Sequence, residues 1–226
     1  MKRVPAIIAA LPREVAALVA GWKHHSPANN IRIYTNGDAV VAYAGMGAAR
    51  VALAVKAAMD AMPITDLISV GLAGACDPRL RAGEIIRAGL GLDSQGVEQF
   101  ADLQFRQVLV SADSVASLQE KTRLYTTYFA HAVDMEAGAV ARLARENGLQ
   151  FHALKAISDE ADFELPDFAR FSTNDGQFSE GAFALYAALH PRMWSKAITL
   201  GRNSGKALRA LTEALRGELD WYKKNA

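Results

Sequence analysis

Residues 130–162 bring two carboxylates to the ends of two strands that are separated by a single helix. The short apolar run Ala130–Val133 reads as a strand and leads into Glu136. The spacing predicts a helix over Glu136–Asn147, stopped at Gly148, where glycine suits a helix end. A second apolar run, Phe151–Ile157, predicts a buried strand that ends in Ser158 and Asp159. In doubly wound sheets, ligands bind at the carboxyl ends of strands. Two acids on one rim suggest that one grips a polar ligand and the other moves a proton.

The rest of the chain follows the same alternation of apolar runs and helical patterns, which predicts an α/β fold. Val4–Ala10 reads as a buried strand. Pro12 suits a first helical turn, and Glu14–Ala20 reads as a short helix. Ile31–Asn36 and Ala39–Ala44 flank Gly37-Asp38, the pattern of a hairpin. Ala48–Met59 is a helix by spacing, and Asp66–Val70 a buried strand. Gly83–Ile86 reads as a short strand, Gln107–Ser111 as another, and Ser114–Lys121 as a helix. Beyond Pro166, Phe163–Gly176 reads as a loop, followed by helices over about Phe178–His190 and Arg192–Leu215. There is no internal repeat and no low-complexity linker. One domain over residues 1–226 is the economical reading, with 177–226 as a helical extension.

Several of these strands end in glycines, hydroxyls or acids: Glu14 after the first, Gly45-Met46-Gly47 after the hairpin, Gly71-Leu72-Ala73-Gly74, Ser111 with Asp113, and Ser158 with Asp159. Glycines let backbone N–H groups approach a ligand closely. Each piece also has a structural explanation. Glu14 and Glu136 sit where a helix dipole favours an acid, and Asp159 could cap a turn. Gly45-Met46-Gly47 lacks the third glycine of a dinucleotide fingerprint, because Arg50 stands there.

Composition narrows the function classes. The chain has 226 residues, 51% hydrophobic and 22% charged, with a formal net charge of +1. That balance gives no global field for nucleic acid. A single cysteine, Cys76, excludes an intrachain disulfide framework and a cysteine-rich metal site. The five histidines show no metal-ligand spacing, so no metal is expected. His24-His25 reads as a solvated loop and His152 as a packed core residue. No run reaches the length of a membrane span, and the amino terminus reads as too interrupted for a signal peptide. A cytoplasmic location is expected. Residues 192–226 carry eight bases against three acids, interleaved with Trp194, Ile198, Leu211 and Trp221. This pattern fits an amphipathic helix packed on its own domain and also contact with an anionic membrane surface.

Taken together, these motifs resemble the nucleoside phosphorylase and methylthioadenosine/S-adenosylhomocysteine nucleosidase family. Val133-Asp134-Met135-Glu136-Ala137 is similar to the family's Val-Glu-Met-Glu-Ala signature. Ala156-Ile157-Ser158-Asp159-Glu160-Ala161-Asp162 is similar to its Ala-Ile-Ser-Asp-x-Ala-Asp signature, and Ala10–Val15 resembles the segment carrying its first glutamate. Residues 4–165 carry the likeness. Within the family, the short middle region, Asp162–Pro166 and the basic tail most resemble the hopanoid-associated phosphorylases.

The resemblance implies a three-layer αβα fold with a central mixed, twisted sheet and cleavage of the bond between a ribose and a purine. Asp159 would protonate N7 of the leaving base, with nearby Glu160 and Asp162 helping it to hold the proton. Glu136 would bind the ribose hydroxyls, Met135 would pack under the sugar and Ser158 would orient Asp159. Ala73, Gly74, Val115 and Ala116 would line the nucleoside pocket. Glu14 would activate the nucleophile. In the phosphorylase reading, Gly47, Arg50 and Arg13 would hold phosphate, a co-substrate rather than a cofactor. The expected substrate is an adenine nucleoside, lipid-linked as in adenosylhopane, cleaved by phosphorolysis; hydrolysis of methylthioadenosine or S-adenosylhomocysteine is the alternative, and a non-catalytic nucleoside-binding module a further one. A homodimer, no nucleic-acid partner and peripheral membrane contact through the terminal helix complete the expectations.

Overall fold

The computed structural model describes residues 2–27, 30–102, 104–164, 190 and 194–225. The strands are β1 (Pro5–Ala9), β2 (Lys23–His25), β3 (Arg32–Thr35), β4 (Val40–Tyr43), β5 (Asp66–Ala75), β6 (Ile85–Asp93), β7 (Glu98–Ala101), β8 (Gln107–Ser111), β9 (Ala132–Asp134) and β10 (Gln150–Asp159). The helices are α1 (Ala48–Ala61), α2 (Leu118–Tyr128), α3 (Ala137–Glu146) and α4 (Trp194–Lys224).

All ten strands belong to one mixed sheet. Strand β1 pairs in parallel with β4 and β5, and β5 pairs in parallel with β10. Strands β4, β3 and β2 continue antiparallel to an open edge. On the other side the sheet closes on itself: β5 pairs with β9, β9 with β8, β8 with β6, and β6 with β10, which returns to β5. This ring of five strands places the carboxyl ends of β5, β8, β9 and β10 close together, and β7 extends it from β6.

The two faces of the sheet are covered for separate reasons. Helix α1 buries Val51, Ala54, Val55 and Ala58, and α3 buries Ala137, Val140, Ala141 and Ala144. Both sets follow the i, i+3, i+4, i+7 spacing of one helical face. The four residues of α1 with Val140 and Ala144 of α3 share a cluster with Ala6, Ile8, Val40 and Leu67. On the opposite face, Ala207, Leu211, Leu215, Leu219 and Tyr222 of α4 pack on Ile7, Val41, Ile68, Leu154 and Ala156. Tyr222 also donates from its hydroxyl to Asp66 at 3.0 Å, and Arg87 of β6 meets Glu218 at 2.6 Å. The three-layer α/β arrangement with a carboxyl-terminal helix is as the sequence predicts. The amino-terminal half of α4 is different: Trp194 and Ile198 are exposed.

Several boundaries differ from the sequence reading. Glu14–Ala20 is not a regular helix; a 3-10 turn over Pro12–Glu14 leads into further turns. Helix α2 starts at Leu118 because the Ser117 hydroxyl accepts from the Glu120 amide at 3.1 Å, a cap later in the chain than Ser114. His24-His25 lies in edge strand β2, held by pairing to β3 rather than by burial. The predicted helix over 178–190 lies outside the described residues, apart from His190.

A core test follows from the asymmetry of α4. Replacing Leu211, which is fully buried, by Ala should cost about 2–5 kcal/mol in urea unfolding. Replacing exposed Ile198 by Ala should change stability by no more than about 0.5 kcal/mol.

Candidate active site

Strand β5 carries the site's backbone. Gly71 has a φ of +143°, and a Cβ there would lie 2.8 Å from Oε1 of Glu14. A Cβ on Gly74 would lie 2.9 Å from Oδ2 of Asp159. Gly71 and Gly74 thus make room for Glu14 and Asp159 beside one strand.

Glu14 is buried and accepts three backbone N–H groups: Ala10 at 3.0 Å and Leu11 at 2.9 Å on Oε2, and Leu72 at 3.3 Å on Oε1. The 3-10 turn aims it inward from the end of β1. Burial pushes its carboxyl above the ordinary range, while the N–H groups and Lys155 oppose that shift.

Glu136 stands at the start of α3, two residues beyond β9, and accepts from the Gly47 amide at 3.3 Å. Its carboxyl is pushed up to about 7, chiefly by burial and then by the charge of Asp134; Lys155 pulls it down and Glu14 pushes it further up. A carboxyl titrating near neutrality suits proton transfer.

Beneath these acids lies a residue the sequence reading missed. Lys155, in the middle of β10, is 1% exposed and directs its ammonium to Asp134 at 2.7 Å and Ser69 at 3.0 Å. Burial disfavours its charge, but Asp134, Glu136 and Glu14 outweigh that and raise its pKa above the ordinary lysine range. Asp134 is fixed from two further sides, by the Ser111 hydroxyl at 2.7 Å and the Ala137 amide at 2.9 Å. Three carboxyl groups therefore surround one ammonium, leaving surplus acid in a water-poor site.

Asp159 ends β10. The Ser158 hydroxyl donates to its Oδ1 at 2.6 Å. The expectation that acids press on Asp159 is not met. Its Oδ2 meets the ammonium of Lys121 at 2.5 Å, and Glu160 instead faces Arg81 at 3.9 Å. Lys121 comes from α2 and was missed because its partner lies 38 residues away.

The remaining candidates lie around this frame. Met135 is half-buried between Asp134 and Glu136, Ala73 is buried in β5, and Val115 and Ala116, before α2, are exposed and buried respectively. Gly47 opens α1, where Arg50 is part-buried and donates to the Ala44 carbonyl at 2.5 Å. Arg13 is exposed beside Glu14. His152 belongs elsewhere. It lies toward the other end of β10, half-buried, 3.6 Å from Asp66 and 3.4 Å from Asp102. No group of three or more potential metal ligands occurs among the described residues.

A model of the phosphorylase superfamily matches residues 5–89 and 94–189. The chain belongs to that superfamily. Among solved structures, the 5′-methylthioadenosine nucleosidase of Arabidopsis thaliana is 16% identical, with a TM-score of 0.73 over 97% of this chain and 96% of that one. A Helicobacter pylori nucleosidase variant with 5′-methylthioadenosine in its active site is also 16% identical, with a TM-score of 0.71 over 97% and 99%. Futalosine hydrolase of the same organism is 17% identical, with a TM-score of 0.69 over 97% and 98%. At these identities the likeness is one of fold. No curated protein matches the chain.

The raised Glu136 carboxyl has a consequence for stability. A carboxyl whose folded pKa exceeds its unfolded value binds more protons in the native state, so stability falls as pH rises from about 4.5 to about 7. Glu136→Gln removes that penalty. Its melting temperature should exceed the wild type's by at least about 2 °C at pH 8, and the gap should close by pH 4.

Proposed function

We propose that the protein cleaves the N-glycosidic bond of an adenine nucleoside. One observation supports the reading most: Glu14 and Asp159 are seated against Gly71 and Gly74 of one strand, with Glu136 coupled electrostatically to Glu14. A ribose between Glu14 and Glu136 would direct its base toward Asp159. Glu136 would accept from the 2′ and 3′ hydroxyls, and these bonds would tighten as the ring gains positive charge. Met135 would lie against the sugar, and Ala73, Val115 and Ala116 along the base. Asp159 would pass a proton to N7 while the C1′–N9 bonding pair moves into the purine.

For the acceptor, the electrostatics favour water. Among the described residues, Glu14, Asp134 and Glu136 gather around Lys155, an acid-lined setting that suits water better than a phosphate dianion. Glu14, with a raised pKa, would take the proton of the attacking water.

Phosphorolysis remains a second reading on a different observation. The first turn of α1 offers its amides beside Glu136, with Arg50 in the same turn, and a helix amino terminus suits an anion. A lipid-linked nucleoside would suit the exposed Trp194 and Ile198, which share α4 with exposed Lys196, Arg202 and Arg209. Among the described residues, no helix is long and apolar enough to cross a membrane.

Adenine release from adenosine, methylthioadenosine and S-adenosylhomocysteine, with and without phosphate, tests both readings. Release without phosphate supports hydrolysis, and release only with phosphate, accompanied by ribose 1-phosphate products, supports phosphorolysis. Asp159→Asn should lower kcat by about 10²–10⁴-fold while nucleoside binding persists. No base release from any purine nucleoside rejects the proposal.

A further inference from the structure

The Lys121–Asp159 pair is costly for a fold to keep. Both side chains are shielded, at 2% and 3% exposure, and removing two charges from water offsets most of their attraction. A buried ion pair is therefore weak evidence of a role in stability. This pair is also more elaborate than glue requires. All three N–H groups of the ammonium have acceptors: Asp159 Oδ2 at 2.5 Å, the Glu160 carbonyl at 3.0 Å and the Phe163 carbonyl at 3.3 Å. The backbone of β5 makes room for it, because a Cβ on Gly74 would come within 3.2 Å of Lys121 Cε as well as meeting Asp159. The Ser158 hydroxyl occupies the other carboxylate oxygen.

This arrangement bears on proton supply, and the inference rests on the glycosidic reading above. A second proton on the pair would leave an uncompensated ammonium beside a neutral acid in a site shielded from water. The pair therefore works with one transferable proton, and the three acceptors around Nζ seat that proton on nitrogen. Other ionisable groups lie near the pair among the described residues. The Cys76 thiol, at the end of β5, is pushed up to about 12 by burial and stays protonated. Glu120 of α2 is held by Arg123 at 2.7 Å, and Glu160 lies toward Arg81.

We propose that Lys121 is the proton source for the leaving base, acting through Asp159. When a purine covers the carboxylate, the proton moves from Lys121 Nζ to Asp159, converting the ion pair into a neutral acid and amine. Asp159 hands the proton to N7 as the C1′–N9 bond breaks and its electron pair enters the ring. The carboxylate and neutral amine that remain regain one proton from solvent after the base departs. Lys121 touches no substrate atom. It is a positioning residue that also stores the proton.

The test compares wild type, Lys121→Met and Lys121→Arg on adenosine and on 4-nitrophenyl β-ribofuranoside, whose leaving group needs no proton. Arg keeps the charge but does not release a proton in proteins. Both variants should lose at least about 100-fold in kcat on adenosine and less than about threefold on the aryl riboside. In the Met variant, the alkaline limb of the adenosine kcat profile should move to lower pH, because a carboxyl must then hold the proton alone. Wild-type rate in the Arg variant, equal loss on both substrates, or a limb moving to higher pH would overturn the proposal. Should neither variant fold, the wild-type profile decides. Its alkaline limb on adenosine should lie above about pH 8 and be absent on the aryl riboside, and a limb below about pH 7 contradicts the proposal. Where adenosine is not turned over, the comparison uses whichever purine nucleoside the wild type cleaves; no base release from any purine nucleoside defeats the glycosidic reading and this inference together, whereas wild-type turnover with an intact Arg variant defeats only this inference.

Discussion

Strand β5 is the constraint on which the rest depends. It pairs with β1, β9 and β10, so it joins the open half of the sheet to the five-stranded ring. Its carboxyl-terminal half consequently has neighbours on both edges. Glu14 follows β1, Asp159 ends β10, and Glu136 stands two residues past β9. Each acid arrives at β5 on a strand already hydrogen-bonded to it or on the segment just beyond one. The site's geometry is set by the sheet rather than by loops, and sites built on sheet ends hold their groups more precisely than sites on loops.

The charge balance follows from that crowding. Glu14, Asp134 and Glu136 converge around Lys155, whose ammonium feels all three. Asp159 has its own cation, Lys121. The proposed site therefore has an acid-rich end and a paired carboxylate and ammonium, and the proposed chemistry assigns the first to the sugar and the second to the leaving base.

Much of this was legible in the sequence, for identifiable reasons. Apolar runs ending in acids or glycines located β1, β5, β8, β9 and β10 and brought Glu14, Glu136 and Asp159 forward. The two buried lysines were not legible. Lys155 interrupts an apolar run, and nothing local shows that Asp134 and Ser69 await it across the sheet. Lys121 looks like any charged helical residue until α2 is docked against the end of β10. Strands β2 and β7 lack a full apolar alternation, because edge pairing rather than burial holds them. The sequence reading ended a short strand at Ile86, yet β6 runs from Ile85 through Gly89 and Gly91 to Asp93. In each case the missing information was a distant partner.

The claim that a single nucleoside spans the site can be tested most directly by a crystal structure of the protein with a non-hydrolysable adenosine analogue that carries a cationic ring in place of the ribose. The account predicts the ring hydroxyls within about 3.2 Å of Glu136 and N7 of the base within the same distance of Asp159. An analogue bound with its base at the Glu14 end, or away from Gly71 and Gly74, would contradict it.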